Sequence, residues 1–175
     1  SSSPTPSFPS PSSFADPFPS SLYALVAAAA NATLVQVPTV TQYPTNGISG
    51  RYGWQTSSSS GWTSGFFPGL LLQLYNRSSA LGLPDAPWWL ANGVARASGL
   101  ASEQYDTSTH DVGFIVYTSL GALYGLTGNT TARDITLRTA QSLATRFVPT
   151  VGAFRSWGSP NAEHTCETIA DNMMN

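Results

Sequence analysis

The chain has 175 residues, of which 41% are hydrophobic and 11% aromatic, enough for one core and incompatible with a wholly disordered polymer. Only 9% of residues are charged, against about a quarter in an ordinary soluble domain, and the net charge is -2. The seven basic residues are all Arg and lie scattered, so no phosphate-tracking stripe forms, which excludes nucleic acid and an anionic membrane surface as partners. The longest apolar stretch, Leu22 to Ala30, falls far short of the roughly 20 residues that span a bilayer.

Residues 1–21 hold nine Ser and six Pro and read as a leader or linker outside the domain, which occupies 22–175. Ser20 and Ser21 are candidate caps for a first helix from Leu22 to about Leu34. The segment from Val35 to Gly61 reads as irregular, broken by Pro38, Pro44, Gly47, Gly50 and Gly53. A second helix starts near Phe66-Phe67-Pro68, where Pro68 suits the first turn, and continues through Tyr75. A third follows Pro84-Asp85 and runs toward Ser102, with Trp88 and Trp89 as core residues. A fourth starts at His110-Asp111 and stops at Gly125 to Gly128, and a fifth begins at the cap Asn129-Thr130-Thr131 and ends before Pro149. A short extended piece, Ala153 to Trp157, then leads to Ile169–Asn175, the start of a sixth helix. The pattern predicts an all-α fold of stacked helical hairpins.

Phosphate-binding loops, dinucleotide fingerprints, zinc-protease motifs and nucleophile elbows are absent from the sequence. Neighbours such as Ser108-Thr109-His110-Asp111 cannot converge as a triad, and Glu163-His164 with Cys166-Glu167 lacks paired-ligand spacing, so no metal site is expected. The single cysteine, Cys166, cannot close an internal disulfide. Three N-x-[ST] sequons, at Asn31, Asn76 and Asn129, and a start without Met suit a secreted, processed glycoprotein, with a cytoplasmic location as the alternative.

Two carboxylates stand at expected helix starts: Asp111 in His110-Asp111-Val112-Gly113-Phe114, and Asp171 in Ile169-Ala170-Asp171-Asn172-Met173-Met174-Asn175. Each alone reads as a cap. Two aromatic loop segments accompany them, Trp62 to Gly69 and Phe154 to Ser159. Carbohydrate sites need flat aromatic faces and carboxylates for proton traffic, and both occur here at loop–helix junctions. For Trp62 and Trp157, core filling is the competing reading.

At Trp62–Gly69, His110-Asp111 with Gly113-Phe114, Trp157-Gly158, and Asp171 with Met173-Met174-Asn175, the sequence resembles glycoside hydrolase family 88, the unsaturated glucuronyl hydrolases. The resemblance implies an (α/α)6 barrel, with this chain resembling its N-terminal half, and a site where inner helices begin. It implies release of a terminal unsaturated glucuronic acid by hydration of its C4=C5 double bond. On that reading Asp171 gives a proton to C4 and draws one from the water adding at C5, and the resulting hemiketal collapses. Asp111 would orient hydroxyls or help stabilise charge, Trp62 and Phe66 would line the sugar pocket, His110 would bond to the sugar or brace Asp111, and Trp157 would stack on the leaving sugar.

The resemblance implies no cofactor, since enol-ether hydration needs only placed protons and water. It implies an unsaturated oligosaccharide as partner and leaves the oligomeric state open. Arg51 and Arg155 are candidates for the substrate carboxylate, because the family's later carboxylate-binding groups have no counterpart in this chain. Five helices and the start of a sixth are fewer than such a barrel needs, so the isolated chain is expected to be inactive and marginally folded, with exposed apolar faces. The alternatives are an unsaturated rhamnogalacturonyl hydrolase and a non-catalytic sugar-binding module.

Overall fold

A computed structural model describes residues 19–51, 53–158 and 166–175. Its frame is helical: α1 (Ser20–Gln36), α2 (Phe66–Ala80), α3 (Ala86–Ser98), α4 (Val112–Val116), α5 (Ala122–Thr127) and α6 (Thr130–Ala144). A π-helical turn, Tyr117–Gly121, joins α4 to α5 in one rod, and 3-10 turns occupy Ala101–Tyr105 and Ala170–Met174. Among the described residues, no helix is long and apolar enough to cross a membrane.

The helix ends explain where the sequence reading holds and where it shifts. Asn129 caps α6 as expected, its side-chain oxygen accepting the Ala132 N–H at 2.9 Å. Gly128 takes φ 72°, the left-handed conformation that ends α5 at low cost only for glycine, and its N–H bonds Tyr124 O at 2.8 Å. By contrast, α1 begins at Ser20 behind Pro19 with no side-chain cap, so Ser20 and Ser21 are not the caps expected. The third helix closes at Ser98, and the residues to Tyr105 tighten into a 3-10 turn.

The segment expected to be irregular carries a hairpin. Strand β1 (Tyr43–Gly47) pairs antiparallel with β2 (Trp54–Ser57), its register shifting between Pro44 and Gly47. A second small hairpin, β3 (Phe147–Val148) and β4 (Ala153–Phe154), follows α6. Pro44 is accommodated in a two-stranded ribbon, where each strand has a free edge.

Two apolar clusters hold the helices together. Ala30 of α1 meets Phe67, Leu71 and Leu74 of α2 and Trp89 of α3. Leu72, Ala97, Leu100, Ile115, Val116, Leu120, Leu123 and Ala132 form the second, with Tyr43 of the hairpin. Trp89 is the core residue expected, whereas Trp88 is 45% exposed. The rod formed by α4 and its π turn lies close to α2 because of Gly65 and Gly69. A Cβ on Gly65 would overlap the carbonyl oxygens of Phe114 and Ile115, and one on Gly69 would lie 2.5 Å from Thr118 O. This backbone-to-backbone approach brings the start of α2, with Phe66, beside the start of α4.

Arg96 anchors the hairpin from below. Its buried guanidinium donates to Thr39 O at 3.3 Å, Gln42 O at 3.2 Å and Val37 O. The Tyr43 hydroxyl donates to Arg96 O at 2.9 Å. Burial pushes the Tyr43 phenol up to about 12, opposed by the Arg96 charge and reinforced by Glu103, and burial also lowers Arg96.

Candidate active site

Three segments meet where α4 begins. Thr109 bridges to Trp157, the His110 N–H donates to Ser156 O at 2.9 Å, and the same carbonyl lies 2.9 Å from His110 Nδ1. A carbonyl oxygen only accepts, so the hydrogen of the neutral ring belongs on Nδ1. The other nitrogen, Nε2, faces two carboxylates, 3.2 Å from Asp111 Oδ1 and 3.4 Å from Asp171 Oδ2. Neither approach has hydrogen-bond alignment, and Nε2 is left buried without a partner in a ring that is 0% exposed.

Asp111 stands at the start of α4, yet its side chain caps no helix amide. The Thr109 hydroxyl donates to Asp111 Oδ2 at 2.9 Å and accepts the Asp111 N–H at 3.1 Å. This local turn holds the carboxylate toward His110, and the capping reading gives way to it. Asp171 also makes no capping bond; it lies in the 3-10 turn Ala170–Met174, which replaces the sixth helix expected there. Its side chain is 45% exposed, while Oδ1 is buried and has no hydrogen-bond partner.

The strand-like segment from Phe154 to Trp157 carries Asp171 to that position. Ser156 N–H donates to Glu167 O at 2.7 Å, and Ile169 N–H donates to Ser156 Oγ at 3.0 Å. Phe154 O accepts from Thr168 Oγ1 and Asn172 Nδ2, each at 2.7 Å. Asn175 closes the loop: its amide donates to Asp171 O at 3.2 Å, and its side-chain oxygen accepts the Phe114 N–H at 2.8 Å. Ser156 thus serves both sides of the cluster.

A line of aromatic rings runs past it. Trp62 and Phe66 meet edge to face at 5.9 Å, Phe66 lies 6.2 Å from Phe114, Phe114 is 6.4 Å from the His110 ring, and that ring is 5.4 Å from Trp157. Trp62, Phe66 and Trp157 are 57%, 41% and 40% exposed, so these rings present surface rather than fill the core. All six residues singled out in the sequence, Asp171, Asp111, Trp62, Phe66, His110 and Trp157, lie in this connected assembly.

Sequence reasoning gave no site role to four supporting groups. Phe114 joins the ring line from the same face of α4 as His110, a spacing of four that could have shown it. Thr109 and Ser156 act through short-range geometry that no spacing announces. Arg146 is buried, its Nε donating to Arg155 O at 2.8 Å and its NH1 to Gly158 O at 3.2 Å and Thr107 O. Burial lowers the Arg146 pKa, Arg155 lowers it further, and Asp106 and Asp111 oppose the shift. Of the two arginines considered for the substrate carboxylate, Arg51 is exposed on the turn after β1 and Arg155 is buried beside Arg146. Glu163 and His164 lie outside the described residues.

Behind the site lies a cavity of about 760 Å³ lined by Tyr117, Leu137, Ala140, Leu143, Phe154 and Met173 among others. None of the three clustered polar residues lines it, and its apolar wall suits helix packing rather than proton transfer.

No protein-family model matches the chain. An unsaturated glucuronyl hydrolase of Formosa agariphila is 32% identical over 117 residues, covering 65% of this chain and 27% of that protein. An unsaturated chondroitin disaccharide hydrolase of Streptococcus pneumoniae is 29% identical over 115 residues, covering 65% of this chain and 28% of the other. Among solved structures, an unsaturated glucuronyl hydrolase specific for heparin superposes with a TM-score of 0.68 at 27% identity, covering 86% of this chain and 40% of that one. The chain therefore spans about a quarter of the length of the curated glucuronyl and chondroitin disaccharide hydrolases it matches. The helices of this chain form part of an α/α toroid, the fold of the solved structure it superposes on.

Proposed function

We propose that this chain carries the proton-transfer portion of a glycoside hydrolase active site acting on unsaturated uronyl oligosaccharides. The observation that carries the reading is the convergence of Asp111 and Asp171 on one buried histidine nitrogen, at 3.2 and 3.4 Å, beside three half-exposed aromatic rings. The names of the relatives supply the substrate class, and the residues supply the chemistry.

Asp171 is the proton donor in this reading. Its carboxyl is the more exposed of the pair, at 45% against 22% for Asp111, so it can reach C4 of a sugar lying on the aromatic faces. Protonation of C4 leaves positive charge on C5 and the ring oxygen, and the carboxylate left behind takes a proton from the water that adds at C5. The hemiketal then opens and releases the rest of the saccharide. Asp111, fixed by Thr109, bears its negative charge toward the region where positive charge develops. The peptide carbonyl of Ser156 holds His110 so that its free nitrogen faces both carboxyl groups. The sequons at Asn31, Asn76 and Asn129 support a secretory route for the protein.

The test follows the ultraviolet absorbance of the C4=C5 uronate in lyase-generated disaccharides, using the full-length gene product and this chain separately. Loss of absorbance with the full-length protein, and at least about 100-fold slower loss with Asp171→Asn, is the expected result. Unaltered turnover in Asp171→Asn would reject the donor assignment. Saccharide binding without turnover in the unsubstituted protein would favour a sugar-binding module.

A further inference from the structure

We propose that His110 Nε2, Asp111 and Asp171 form a binding site for a divalent transition-metal ion of the zinc class, and that such an ion shuts the site by taking the carboxylate needed for proton transfer. The inhibitory part rests on the reading of Asp171 above; the binding part does not. No paired motif announces it, because Asp171 stands 61 residues beyond His110 in the chain.

Several features of the geometry point the same way. One ligand atom from each residue lies within 4.8 Å of the others. In a tetrahedral zinc site with bonds of about 2.0–2.1 Å, neighbouring ligand atoms are separated by about 3.3–3.4 Å; Nε2 lies 3.2 and 3.4 Å from the two carboxylate oxygens, and those oxygens, within 4.8 Å of each other, would draw together on the ion. The histidine is oriented as metal ligands are: Nδ1 is engaged by a backbone carbonyl, and Nε2 faces the two carboxylates, buried and without a hydrogen-bond partner. The buried Oδ1 of Asp171 lacks a partner as well. Asp171 is 45% exposed, which opens the cluster to solvent on that side. A mixed nitrogen and oxygen set selects zinc-class ions over magnesium, which prefers oxygen alone.

With zinc bound, Asp171 is a ligand and cannot protonate carbon, so turnover falls in proportion to occupancy and returns when a chelator removes the ion. The experiment titrates Zn²⁺ alone into the protein by calorimetry, with Mg²⁺ as comparison. It repeats the titration with Asp111→Asn and Asp171→Asn, whose folding is checked by circular dichroism. One zinc per chain, at least tenfold weaker binding in each variant and no saturable magnesium binding are expected. Absence of saturable zinc binding, or binding unaltered in both folded variants, would overturn the proposal. The two readings separate cleanly: zinc binding to a protein without turnover leaves the metal site standing and removes the hydrolase, whereas turnover without zinc binding does the reverse.

Discussion

Adding one methyl group at Gly69 tests how the site is assembled. In Gly69→Ala the new Cβ lies 2.5 Å from Thr118 O and 3.3 Å from the Thr118 carbonyl carbon, against ordinary contacts of 3.4–4 Å. Both are backbone atoms within the π turn, so no side chain can swing aside, and α2 must move off the rod by close to an ångström. Overpacking of this kind costs about 1–3 kcal/mol, and alanine's better helix propensity returns up to about 1 kcal/mol. From the middle of that cost range the net expectation is about 1–2 kcal/mol, which for a chain of this size lowers the melting temperature by roughly 3–6 °C. Phe66, one turn earlier on α2, would shift with the helix and loosen the ring line. Gly47→Ala is the control, because nothing lies within 4 Å of its added Cβ and its φ is not in the left-handed region. Thermal unfolding of the three proteins by circular dichroism decides the matter: Gly69→Ala melting at or above the parent, or together with Gly47→Ala, would refute the close-approach argument.

Tyr43 has its proton held to about 12 in the fold against 10 in an unfolded chain, so between those values the unfolded state loses a proton that the folded state keeps. Stability therefore falls as pH rises through that window, by about 2–3 kcal/mol, and urea titrations at about pH 9 and 11.5 should show a smaller fall in Tyr43→Phe. Arg96→Met leaves the carbonyls of Val37, Thr39 and Gln42 without their donor and should cost on the order of 3 kcal/mol in chemical denaturation. Thr109→Val frees the Asp111 carboxylate and should lower kcat on unsaturated disaccharides about tenfold with little change in KM, and Thr109→Ser should restore it; equal activity in all three proteins would remove Thr109 as a positioning residue.

Much of the frame was legible because helix punctuation is local chemistry. Asn129 and Gly128 mark a boundary through their own side chain and backbone freedom, so the α5–α6 junction falls where composition places it. The hairpin from Tyr43 was not legible. Its apolar content is small, and what fixes it is Arg96, more than 50 residues away in sequence. The site residues were legible by type, since carboxylates and exposed aromatic rings are conspicuous in a chain so poor in charge. Their supports were not: Ser156 works through a backbone carbonyl, and Asp171 occupies a 3-10 turn whose position depends on that same residue. Trp88 shows the limit of hydropathy, because a tryptophan pair on one helix cannot place both rings inward.

The buried arginines also bear on how this protein meets salt. Arg96 and Arg146 each bind three peptide carbonyls, and Arg155 is buried as well, leaving four of the seven guanidinium groups outside the core. A lysine ammonium lacks the planar fork that joins several carbonyls at once, which fits a chain whose cations are all arginine. Dissolved ions screen exposed charges over about 10 Å at ordinary ionic strength, yet they scarcely reach a guanidinium sealed among peptide groups. Stability should then change little between fresh and saline media. With so few cations at the surface, an anionic sugar would arrive by diffusion and ring stacking rather than by long-range attraction.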